Sequence, residues 1–200
     1  MKNEFEKRTY SFEIRAETDN NESIITGRPI VFSSRTDLIN FDEIIDKGAL
    51  DNADLSDVRF LVNHDVSKIP LARSKQGQNS TMNLTVDEKG LKISVKLDTD
   101  NNSDARALYS AVKRGDISGM SFMFSINGVK WENLDSDKPV RHITDIGKVV
   151  EVSAVTFPAY EDTEINARSR QILEDARSEF KNINQTFKEL ELLKEKIKLF

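Results

Sequence analysis

The chain has 200 residues, 38% hydrophobic and 32% charged, which is enough apolar material for one core plus a polar extension. Its formal net charge of −5, with no block of lysine or arginine, excludes the positive face of a phosphate-tracking nucleic-acid binder. Cysteine is absent, so disulfides, thiolate nucleophiles and cysteine-ligated metal sites are excluded too, as a reducing cytoplasm readily tolerates.

The opening MKNEFEKRTYSFEIR mixes both charges and lacks the apolar core of a secretory signal, and no run approaches the roughly 20 apolar residues of a membrane span. Neither secretion nor a membrane partner is expected. Tyr10, Phe12, Ile14 and Ala16 alternate with polar neighbours, the period-two pattern of a half-buried strand; DNNES supplies turn chemistry, and IITGRPIVF resumes extended character. Residues 43–50, EIIDKGAL, predict a short helix broken at Gly48. A polar crossing from Asp51 to Asp57 leads to the strand VRFLVNH, with His64 at its end.

TMNLTV and LKISVKL flank Asp87-Glu88-Lys89-Gly90, a turn-length spacer that predicts a hairpin. Over 103–115, Ala105, Leu108, Tyr109 and Val112 recur at helical spacing, with Ser103 as N-cap and Gly115 as stop. SGMSFMFSI and GKVVEVSAVTF are near-continuously apolar, as central strands of a barrel or packed sheet are, and Pro158 ends the second. From about Arg170 the character changes. Ile172, Ala176, Phe180, Ile183, Phe187, Leu190 and Ile197 form an apolar stripe in a segment whose acids and bases cancel. This long amphipathic helix either seeks a partner, a second copy of the chain included, or packs back on the body; its spacing does not decide.

Three blocks each set one useful polar group beside an apolar run: His64, Ser121 and Glu151. Alternation puts His64 on the face of Val58, Phe60 and Val62, at a core's margin, and anchors Ser121 by Met120, Phe122 and Phe124 behind it. Glu151 shares a face with Val149, Ser153, Val155 and Phe157, where an unpaired carboxylate is costly. A carboxylate accepting the Nδ1 proton of His64 would leave Nε2 to take the Ser121 proton, the logic of a serine hydrolase. Each residue also has a bland reading: a surface histidine, a small filler in a strand, an acid facing water at a sheet edge. His142, in VRHITDIG, reads as a solvated strand-start residue, yet a second imidazole could replace the carboxylate as orienting group; the burial argument favours Glu151. No metal or cofactor is expected, because two distant histidines close no coordination shell and no phosphate-cradling glycine loop is present; without a G-x-S-x-G elbow the α/β-hydrolase scheme drops out as well.

Taken in order, these blocks resemble the prohead maturation proteases of tailed phages, serine peptidases similar to the herpesvirus assembly proteases. The likeness runs from GRPIVF at Gly27 to about Asn166 through Asp46-Lys47-Gly48-Ala49-Leu50, Asn63-His64-Asp65, Pro70-Leu71-Ala72-Arg73, Glu88-Lys89-Gly90-Leu91, Arg114-Gly115-Asp116, Ser118-Gly119-Met120-Ser121-Phe122-Met123-Phe124, Glu151-Val152-Ser153-Ala154-Val155 and Pro158-Ala159-Tyr160. The resemblance implies an α+β fold, a small mostly antiparallel β-barrel flanked by helices, over a protease domain at 1–168, with the helix of 169–200 as a targeting or assembly element. It implies His64 as base and Ser121 as nucleophile, with Ser118 and Ser153 as rival hydroxyls. Glu151 matches its E-V-S-x-V block, whereas herpesvirus-type enzymes use a second histidine as third member. Backbone N–H groups, with Arg73 as candidate helper, would bind the oxyanion. The implied substrate is the scaffolding segment of the major capsid protein, cut inside the procapsid in the host cytoplasm, and the enzyme would also cleave itself. The alternative is a non-catalytic capsid assembly chaperone with a helical arm.

Overall fold

The computed structural model describes residues 5–10, 14–19, 22–156 and 162–197. Phe12, Pro158 and the Pro158-Ala159-Tyr160 block lie outside the described residues. In chain order the elements are β1 (Phe5–Tyr10), β2 (Ile14–Asp19), β3 (Glu22–Val31), β4 (Arg35–Asp37), β5 (Asp42–Ile45), β6 (Asp57–Val62), β7 (Ala72–Lys75), β8 (Met82–Asp87), β9 (Gly90–Leu97), α1 (Ser103–Arg114), β10 (Gly119–Glu132), β11 (Val140–Val155) and α2 (Asp162–Ile197). This is α+β architecture dominated by strands.

The strands form two sheets, one of four strands in the order β2-β3-β9-β8 and one of seven in the order β1-β10-β11-β5-β4, with β6 pairing both β11 and β7. The described strands do not close into the barrel that the resemblance implies. Among the described strands each sheet keeps open edges, β2 and β8 in one and β1, β4 and β7 in the other. Most pairings are antiparallel, but β6 and β11 run parallel, with Arg59 opposite Glu151 and Val62 opposite Ala154.

The chain divides into two compact units. The first, residues 1–34, 44–130 and 142–160, is built on one core in which Ile25, Ile30, Leu91, Ile93 and Val95 of the four-stranded sheet join Phe60, Met120, Phe122, Phe124 and Val152 of the other. All ten are fully buried, each worth about 1.5–3 kcal/mol relative to exposure. The β8–β9 hairpin closes with Asp87 opposite Gly90, as its spacer predicts. Gly90 has a φ of +133° and a side chain there would meet the Ile30 carbonyl oxygen at 2.1 Å, so close approach of β3, not the turn alone, demands glycine. α1 is capped by Asn102 instead of Ser103: the Asn102 side chain accepts from the N–H groups of Asp104 and Ala105. Gly115 ends it at a φ of 82°.

The second unit comprises residues 35–43, 131–141 and 161–200. Leu38, Phe41 and Leu173 form its core with Trp131, Leu134 and Ile172, Phe41 meeting Trp131 edge-on at 5.0 Å. Arg177 donates to the carbonyls of Leu134 and Ser136 at 2.9 and 2.6 Å, and the fully buried Glu43 pairs with Arg141 at 3.1 Å. α2 begins upstream of the residue where composition changes, and packing and exposure divide along it. Leu173 is buried, whereas Phe180, Ile183, Phe187, Leu190, Leu192 and Leu193 are all exposed. The helix predicted over 43–50 is instead strand β5 followed by a turn. Glu43 and Ile45 are buried while Asp42 and Ile44 are half-buried, a period of two that overrides helix propensity.

Candidate active site

β6 stops at Val62, so His64 does not continue the alternation of Val58, Phe60 and Val62. Asn63 and His64 instead adopt positive φ, 52° and 58°, and the N–H of Asp65 returns to the Val62 carbonyl at 3.1 Å. Left-handed backbone at both central residues of a four-residue turn is the signature of type I′. Such a conformation costs about 1–3 kcal/mol per non-glycine residue and persists only where its surroundings over-determine it. They do so here. Asn63 N–H donates to the Ala154 carbonyl at 2.9 Å, its side-chain carbonyl accepts the Thr156 N–H at 2.9 Å, and its amide reaches the Thr156 hydroxyl at 3.0 Å. His64 N–H donates to Ser153 Oγ at 3.2 Å. The turn is thus bolted to β11, the strand that β6 already pairs.

This carries the half-buried imidazole between two strands. His64 Nδ1 lies 2.5 Å from Glu151 Oε1, and Nε2 lies 2.6 Å from Ser121 Oγ. An ionised carboxylate only accepts, so Nδ1 carries the proton toward Glu151 and Nε2 presents its lone pair to the hydroxyl. Glu151 is 3% exposed, and its second oxygen, Oε2, accepts from Ser153 Oγ at 2.6 Å. Two bonds offset the cost of burying that charge. Ser121 sits on β10 with no exposed surface; besides Nε2 it has the Arg8 carbonyl of β1 within reach, at 2.8 Å.

The structure therefore brings His64, Ser121 and Glu151 into one hydrogen-bonded chain, all within the first unit. His142 lies elsewhere on β11, half-buried rather than solvated, with Nδ1 2.7 Å from Asp46 Oδ1. Arg73 is engaged by Asp57, to which it donates twice at 2.6 Å, and the guanidinium holds that carboxyl below its usual range. Ser118 precedes β10. Ser153, the other hydroxyl of this block, bridges the Glu151 carboxylate and the His64 main chain. Sequence reasoning missed that role, although the i, i+2 spacing to a buried acid was available as a signal. Among the described residues no cluster of three or more acids and histidines could hold a metal ion, and no helix is long and apolar enough to cross a membrane.

The family model of the caudovirus prohead serine proteases matches residues 10–178, which takes in strands β2 to β11, the hydrogen-bonded chain and the start of α2, but of β1 only Tyr10. The chain belongs to that family. Membership makes it a serine peptidase by descent and connects it with capsid maturation in a phage-infected cell. Neither a curated protein nor a solved structure matches the chain.

Proposed function

We propose that the chain is a serine endopeptidase in which Ser121 is the nucleophile, His64 the general base and Glu151 the group that orients the imidazole. The observation that carries this reading is the continuous chain from Glu151 Oε1 through the His64 ring to Ser121 Oγ, with links of 2.5 and 2.6 Å. In the forward step Ser121 Oγ bonds to the scissile carbonyl carbon as its proton passes to Nε2, and the carboxylate stabilises the imidazolium formed. Collapse of the tetrahedral adduct breaks the C–N bond, with the Nε2 proton going to the leaving amine. Water, deprotonated by Nε2 in turn, then hydrolyses the acyl-Ser121 ester and restores the hydroxyl.

The substrate in this reading is the scaffolding segment of the major capsid protein, cut inside the procapsid, and the protease also cleaves itself. Residues 1–168 serve as the protease domain and 169–200 as a targeting or assembly helix. The exposed apolar stripe from Phe180 to Leu193 supports an assembly role for that helix. Kinship of architecture with herpesvirus assembly proteases belongs to the same reading and rests on sequence resemblance.

Co-expression with the capsid subunit, read by intact mass, tests the reading. Wild type is expected to yield shortened capsid subunit and a shortened protease, and both vanish in Ser121→Ala. Unchanged capsid processing in Ser121→Ala would instead support the non-catalytic chaperone.

A further inference from the structure

We propose that the edge of β10 bearing Ser121 is the seat of an extended substrate strand, and that the chain's own β1 occupies that seat at rest; this rests on Ser121 being the nucleophile. β1 pairs antiparallel with β10 residue by residue, Phe5 opposite Ser125, Arg8 opposite Phe122 and Tyr10 opposite Met120. It is the last strand on its side of the sheet. Without it, β10 would present a row of main-chain donors and acceptors, the template on which peptides bind by strand addition.

What β1 puts at the nucleophile is what a substrate must put there: a main-chain carbonyl. The Arg8 carbonyl oxygen lies 2.8 Å from Ser121 Oγ, and Ser121 has no exposed surface while β1 is docked. Arg8 itself is 8% exposed, its guanidinium lying 5.9 Å over the ring of Phe124 and donating to the Lys7 carbonyl and the Glu6 carboxylate of its own strand. The contact is not an attack geometry. Oγ meets the carbonyl oxygen rather than the carbon, and a hydroxyl proton given to that oxygen is withheld from Nε2. β1 thereby covers the nucleophile and diverts its proton, and a substrate strand must displace it. The ligand class is an extended peptide read through its main chain, with alternate side chains supplying selectivity.

The absence of cysteine makes a clean lock available. Lys7 and Met123 are directly opposed on β1 and β10, a pairing whose Cα separation of about 4.5–5.5 Å suits a disulfide. In the full chain carrying Lys7→Cys and Met123→Cys, fluorophosphonate labelling of Ser121 is expected to be at least about tenfold slower oxidised than reduced, and to recover on adding reductant. Equal rates in the two states would overturn the proposal. Absence of labelling in the parent chain would count against the catalytic reading instead. If the variant labels in neither state, hydrogen exchange of the parent decides: amides of residues 5–10 exchanging at least about 100-fold faster than those of residues 149–154 support a displaceable strand, and equal protection overturns it.

Discussion

Two imidazole–carboxylate pairs lie in the first unit, His64 with Glu151 at 2.5 Å and His142 with Asp46 at 2.7 Å, and their bond lengths hardly differ. Their backbones do. His142 lies within the extended β11, so its ring goes where the pleat sends it. His64 follows a strand that has stopped, in a turn with positive φ at two successive residues, and its ring is swung across to a third strand. Pairing with a carboxylate settles which nitrogen holds the proton. The turn settles what the other nitrogen meets, and at His64 that is the Ser121 hydroxyl at 2.6 Å.

The largest effect should separate the histidines themselves. His64→Ala is expected to slow fluorophosphonate labelling of Ser121 by about 10⁴-fold or more, whereas His142→Ala should leave it within about twofold in matched kinetics. Comparable losses in both would erase the distinction drawn between them. Next comes Glu151→Gln, which keeps the shape but offers a neutral amide at Nδ1; a loss of about 10³–10⁴-fold in kcat is expected with little change in KM. Ser153→Ala removes the donor to Glu151 Oε2 and the acceptor of His64 N–H. Denaturant titration should show a loss of about 1–3 kcal/mol, with labelling roughly tenfold slower.

The smallest effect concerns acid. Arg73 holds the Asp57 carboxyl below its usual range, so that pair stabilises the fold fully above the unfolded carboxylate range of about pH 4 and ceases to as pH falls through the lower folded value. Thermal unfolding from pH 5 to 2 should therefore show a slightly shallower acid decline in Asp57→Asn than in the parent. Because the pair is largely solvent-screened, the difference should be a few degrees at most. An identical decline would mean that the strand leading to His64 needs no such clamp.

Elements with a clean period were legible in the residues. The β8–β9 hairpin, α1 with its Gly115 stop, and the apolar runs of β10 and β11 all lie where alternation or helical spacing predicts them. The residues of β5 and the turn after it are ambiguous in sequence because adjacent isoleucines satisfy helix and strand patterns alike, and only pairing decides. The described strands close no barrel, and the sequence could not say so because closure depends on which edges meet, which no local pattern encodes. At the site, the residue types and the need of buried Glu151 for a partner were legible, since an uncompensated charge in a core announces itself. The turn was not, because the alternation that runs through Val62 carries no sign that it stops two residues short of His64; Asn63, which tolerates left-handed backbone better than most residues, is the available hint. The Arg8 carbonyl had no hint at all. It meets Ser121 from 113 positions away, through a strand pairing invisible in either segment alone.

The parallel register between β6 and β11 has a consequence for biosynthesis. His64 emerges from the ribosome 57 residues ahead of Ser121 and 87 ahead of Glu151, and its turn has nothing to fasten to until Ser153 and Ala154 follow. Nascent chains that end before residue 151 lack Glu151 itself together with the stretch of β11 to which the turn fastens. A chain interrupted before β11 is complete therefore carries His64 without the contacts that aim its ring.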